Sequence, residues 1–250
     1  MANQILFTPN DNGLGTVSNK VMLGNGFTGD LASFNGKVFV IDLNKLDPLN
    51  PLGLPTNTIR VKFRSGISPT PHHIPWDSLT EVDRTNNIWD IYKESNNWDG
   101  LFIDNDGVEE ILGANTTNVT NMQGLLFDCK YLKSVALFDT SNVTDMRQMF
   151  TYDDKLISLP LFNTSKVTDM FYMLYLCESL TSIPLFDLSS VTNMERMCGN
   201  CPNVEQGALA LYQQAKNKTT IQNHNQTFND CGINTQTGAA ELAQIPDDWK

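Results

Sequence analysis

The chain has 250 residues and 40% hydrophobic content, enough for one large domain or two smaller ones with a buried core. Its formal charge of −11, with no Lys/Arg cluster to reverse the sign locally, argues against a nucleic-acid backbone or an anionic membrane as partner, because both would repel it. The N-terminus, MANQILFTPNDNGLG, has neither a basic start leading into an apolar stretch nor a lipidation-type cysteine, so no membrane insertion or export signal is expected.

Residues 1–45 carry hairpin chemistry. Asn12-Gly13, Asn25-Gly26 and Asn35-Gly36 each favour the left-handed turn that joins adjacent strands, and Lys37–Ile41 reads as a strand. A small β-rich unit is expected. Residues 46–55 hold Pro48, Pro51 and Pro55, which predicts a semi-rigid extended linker.

Residues 56–110 begin with Ile59, Val61 and Phe63 alternating with Arg60, Lys62 and Arg64, the pattern of a strand with one wet face. Trp89, Tyr92, Trp98 and Phe102 follow as the expected core of an N-terminal cap. The stretch DNDGVEEI at Asp104 suggests a calcium loop. It fails that test, since placing Gly107 at the sixth loop position puts Phe102 and Gly113 where acidic ligands belong.

Residues 111–206 contain a repeat. NVTNM, NVTDM, KVTDM and SVTNM begin at Asn118, Asn142, Lys166 and Ser190, each 24 residues after the one before. Met122, Met146, Met170 and Met194 align, as do Leu125, Met149, Met173 and Met197, and Leu126, Phe150, Leu174 and Cys198. This i, i+3, i+4 spacing predicts one short helix per copy, capped by Thr120, Thr144, Thr168 or Thr192, with Glu195 completing a capping box in the fourth. Further ladders run through Leu132, Leu156, Leu180 and Val204; Val135, Leu159 and Ile183; Leu137, Leu161 and Leu185; and Phe138, Phe162 and Phe186. Their L-x-x-L-x-L rhythm predicts one short strand per copy, interrupted where Pro160 and Pro184 remove a donor. The expected class is α/β: a leucine-rich-repeat solenoid with one strand and one helix per turn, capped at both ends and preceded by the β-rich unit.

Cys198-x-x-Cys201 resembles a redox or zinc pair, but the register separates its members. Cys201 falls in the ladder Cys129, Asp153, Cys177, and Cys198 in a core slot, so buried inert thiols are expected. Cys231 marks a degenerate fifth turn within residues 207–250, which close the stack with helices in GALALYQQAK and GAAELAQIP. No phosphate-binding glycine loop, nucleophile elbow or histidine metal set is visible; His72 and His73 are adjacent and project differently. No enzyme, cofactor or metal is expected.

Met173 to Met194, MLYLCESLTSIPLFDLSSVTNM, resembles the repeat unit of BspA-like leucine-rich-repeat surface proteins. That resemblance implies surface display and adhesion. Combined with the order of β unit, linker and repeats, it implies a virion component: a phage fibre or decoration protein attached to other virion proteins through residues 1–45. A bacterial cell-surface adhesin and a purely structural cementing protein are the alternatives. Binding of a host surface protein or glycan is expected at slots that vary between copies, namely Tyr152, Phe171, Tyr172, Tyr175 and Arg147, since exposed aromatics stack well on sugars and peptides. A homo-oligomer would strengthen such contacts.

Overall fold

The computed structural model describes the backbone of residues 4–7, 20–23, 27–30 and 39–42, and the whole of residues 47–71 and 75–250. Strands β1 (Gln4–Phe7), β2 (Lys20–Leu23), β3 (Phe27–Asp30) and β4 (Phe39–Asp42) form two antiparallel pairs, β1 with β4 and β2 with β3. Asn25-Gly26 falls between paired strands. Asn12-Gly13 and Asn35-Gly36 instead separate strands that are not partners, because β1 pairs past the central two with β4. All three dipeptides lie outside the described residues, as do His72 and His73.

The proline-rich stretch is folded rather than extended. The Asn50 amide donates to the Asp47 carbonyl and the Gly53 amide to the Asn50 carbonyl, so two turns follow one another. Asn50 then clamps both backbone groups of Leu54, which is buried, and Asn115 Nδ2 donates to the Leu54 carbonyl at 2.8 Å. Prolines preset the turns, but the asparagines close them.

A mixed five-stranded sheet follows, in the order β6 (Ser78–Asp83), β7 (Ile88–Tyr92), β5 (Thr58–Phe63), β8 (Val108–Asn115) and β9 (Ser134–Val135). β5 shows the expected alternation, with Ile59, Val61 and Phe63 buried. Its wet face carries cross-strand ion pairs, Arg60 with Asp90 at 2.6 Å and Lys62 with Glu109 at 3.2 Å. β8 and β9 pair in parallel, Ile111 opposite Val135. Those residues are 24 apart, so β8 belongs to an additional copy before the first expected one. Trp98, Leu101, Phe102, Asn105, Val108, Ile111 and Ala114 occupy the slots of Met122, Leu125, Leu126, Cys129, Leu132, Val135 and Phe138.

The strand-and-helix solenoid expected from the sequence is contradicted. Among the described residues the structure is mostly sheet and turn, and the α-helices α1 (Ala208–Ala215) and α2 (Gln236–Leu242) both follow the repeats. Each copy contains a run of overlapping turns where the helix was expected. The amides of Met122, Gly124, Leu126 and Asp128 donate to Asp145, Arg147, Met149 and Thr151 of the next copy at 2.8–3.0 Å. The amides of Leu125, Phe127 and Cys129 donate three residues back at 3.1–3.3 Å. A helix would need all these amides for its own carbonyls. Left-handed residues at Gly124, Gln148, Tyr172 and Arg196, and again at Asp128, Tyr152, Leu176 and Asn200, keep the chain turning.

The expected caps also take other partners. The Thr144, Thr168 and Thr192 hydroxyls donate to the carbonyls of Thr120, Thr144 and Thr168 at 3.0–3.2 Å, and Glu195 accepts from Asn223 instead of closing a box. The following Asn or Asp organises the turn: the side chains of Asn97, Asn121, Asp145, Asp169 and Asn193 each accept the amide two residues on. The same residues, with Asn223, form a column of single parallel bridges. Of the expected strands in the four copies, only β9 forms; at Pro160 and Pro184 the chain bends, with the Phe162 and Phe186 amides donating to the proline carbonyls. The Leu132, Leu156, Leu180 and Val204 ladder is buried, as is that of Phe138, Phe162 and Phe186. At the far end Phe228 and Cys231 are buried, and the Trp249 ring stacks 6.3 Å from that of Phe228.

Candidate binding surface

Each copy repeats the same backbone, so side chains in varying slots line up along its surface. Four of the five expected site residues meet there. The rings of Phe171 and Tyr172 lie 4.2 Å apart, Tyr172 and Tyr175 4.5 Å, and Tyr175 and Tyr152 6.2 Å, with Phe127 continuing the row 5.6 Å beyond Tyr152. Tyr152 is 40% exposed, and the other three expected rings are half-buried. Tyr152 and Tyr172 both occupy left-handed positions at turn corners. Tilted and edge-on pairings hold the row together without a single flat face.

Arg147 is directed elsewhere. Its guanidinium binds Asp145, with Nη2 at 2.6 Å from Oδ2, and Gln123 Oε1, also at 2.6 Å. The Asp145 hydrogen bond, above all, holds the Arg147 pKa above its ordinary value. The basic residue that reaches the rings is Arg196. Its Nη1 donates to the Tyr172 hydroxyl and its Nε to Gln226 Oε1, while Asn200 Nδ2 donates to the Tyr175 hydroxyl at 2.9 Å. Arg196 lies 24 residues after Tyr172 and Asn200 lies 24 after Leu176, so the fourth copy fixes the third copy's rings. The register contained that pairing, since Glu195-Arg196 aligns with Phe171-Tyr172.

A second row departs from the expected core. Leu137, Leu161 and Leu185, expected on a core-facing strand, are 39%, 60% and 54% exposed, and Ile157 is exposed as well. At Leu161 and Leu185 the strand is absent and the chain bends at Pro160 and Pro184, and in the first copy β9 ends at Val135, two residues before Leu137. Within the rows, the side chains offer apolar faces, hydroxyls, amides and one guanidinium. All five cysteines are buried and unpaired, and burial pushes their thiols up, that of Cys201 to about 12. Among the described residues no cluster of three or more His, Cys, Asp or Glu could hold a metal, and no helix is long and apolar enough to cross a membrane.

Residues 96–212 match the model of a family described as Mycoplasma protein of unknown function, DUF285. The match begins at the additional copy around Trp98 and ends in α1. No curated protein and no solved structure matches the chain.

Proposed function

We propose that the chain is a non-catalytic recognition protein that binds a surface protein or glycan through the row Phe127, Tyr152, Tyr175, Tyr172 and Phe171. The observation that carries this reading is that partly exposed rings are fixed in place by Arg196 and Asn200 before any ligand arrives. Pre-ordered aromatics lose little conformational entropy on binding and offer both an apolar face and a hydroxyl. The resemblance of Met173 to Met194 to bacterial surface-protein repeats supports the same role. The test is binding of the intact chain and of a Tyr152→Ala, Tyr175→Ala double variant to a glycan array and to bacterial surface extracts. Loss of binding in the variant supports the reading, and equal binding overturns it.

A second reading, a structural protein cementing other subunits of a virion or cell surface, is favoured by the exposed Leu137, Leu161 and Leu185 row. Under it Leu161→Asp abolishes incorporation into the assembly while the tyrosine variant is incorporated normally. Quantitative mass spectrometry of phage particles beside washed-cell fractions decides which surface carries the protein: a fixed copy number per particle identifies a virion component, and recovery on cells alone identifies an adhesin.

A further inference from the structure

One slot of the turn run stacks into an inner column, occupied by Asn105, Cys129, Asp153, Cys177 and Cys201. Three members make the same contact. The thiol of Cys129 donates to the Phe102 carbonyl at 3.1 Å, that of Cys177 to Phe150 and that of Cys201 to Leu174 at 2.9 Å, each 27 residues back. The slot also faces a donor from the preceding copy. The amides of Asp153 and Cys177 point at the sulfurs of Cys177 and Cys201, and the Cys129 amide donates to Asp153 Oδ1 at 2.9 Å. The column therefore needs a side chain that accepts from an amide and donates to a carbonyl.

A thiol does both, whereas an ionised carboxylate only accepts. Asp153 is 0% exposed, its Oδ1 has the amide, and its Oδ2 is buried without a hydrogen-bond partner as an acceptor. The carbonyl 27 residues before it is that of Leu126. We propose that Asp153 is carried as a neutral carboxylic acid whose Oδ2–H donates to the Leu126 carbonyl in place of a thiol, making a proton-dependent latch between the second copy and the first.

The surroundings agree. Asp128 and Asp154 are the charged groups that act on Asp153, Lys130 is 3.4 Å from Asp128, the thiols of Cys129 and Cys177 stand on either side of Asp153 in the column, and among the described residues no ion pair reaches Asp153. Burial, the largest influence, pushes its carboxyl well above the ordinary range; the Cys129 amide opposes this, and Asp128 and Asp154 add to it. Because the folded value is raised, the latch contributes fully below the ordinary carboxylate range and is lost as pH rises through the folded value.

The test compares urea unfolding of the full chain with that of Asp153→Asn, whose amide keeps one acceptor and one donor, from about pH 4 to about pH 8. The wild-type unfolding constant rises relative to the variant's by up to about tenfold per pH unit within that window. A pH-independent ratio overturns the proposal. A second measurement needs no variant: in wild-type protein carrying carbon-13 at the aspartate carboxyls, one fully protected carboxyl keeps the protonated chemical shift at about pH 6. A spectrum with every aspartate ionised there overturns the proposal equally.

Discussion

The Phe228 amide donates to the Trp249 carbonyl at 2.9 Å, so the last turn run is closed by Trp249 of the same chain. In every earlier copy the equivalent amide, such as Cys198 to Thr227, goes to the copy that follows. Trp249 supplies both that acceptor and an apolar lid. Its indole stacks on His224 at 4.0 Å and meets Tyr212 edge-on at 5.4 Å.

Trp249→Ala therefore removes the lid while leaving the acceptor, and its cost should fall near that of other large buried aromatics, about 3 kcal/mol. Deletion of residues 247–250 removes both and should cost more, with self-association of the opened end. Urea unfolding and light scattering measure the two effects. Full stability after deletion would show that the end needs no closure.

Which residues lie in register was legible in the sequence, because a 24-residue period written four times leaves little freedom in alignment. Their backbone was not. Met146, Met149 and Phe150 become buried in a turn run just as they would in a helix, so the i, i+3, i+4 spacing does not separate the two. The choice is made by Asp169 and Met173, whose carbonyls take amides a helix would use internally. That partner sits a whole copy away, beyond the reach of local propensity. Left-handed Tyr172 and Arg196 carry no local signal either, whereas Gly124 does. At the surface, ladder membership was enough to group Tyr152, Phe171, Tyr172 and Tyr175, which meet in one row, but not to show that Arg147 turns to Asp145 and Gln123 while Arg196 reaches the rings.

Gly124 tests the left-handed corner alone. Its φ is 56° and a Cβ there would meet nothing closer than 3.8 Å, so Gly124→Ala should cost about 1 kcal/mol through backbone strain. Gly238→Ala differs, because its Cβ would strike the Val204 carbonyl oxygen, and the cost should reach about 3 kcal/mol or more. Equal costs at the two sites would remove the distinction between strain and collision.

The five cysteines should be silent toward thiol reagents in the native state. Burial raises each thiol above its ordinary value, leaving almost no thiolate at neutral pH, and no sulfur reaches solvent. All five should react together, at the rate of unfolding, when labelling is followed in increasing urea. Rapid native labelling of Cys198 or Cys201 would revive the redox or metal reading of their spacing.

Leu161 and Phe162 are neighbours in the chain and opposites in the fold. Leu161 is 60% exposed, whereas Phe162 lies between Phe138 of the preceding copy at 5.0 Å and Phe150 of its own copy at 6.3 Å. Phe162→Ala should thus cost about 3–5 kcal/mol, and Leu161→Ser no more than about 0.5 kcal/mol. A core-facing strand would make the leucine change the costly one as well, through loss of a buried aliphatic side chain. Thermal unfolding of the two variants separates these outcomes, and a large loss at Leu161 would return the exposed leucine row to the core and withdraw it as a surface for a partner.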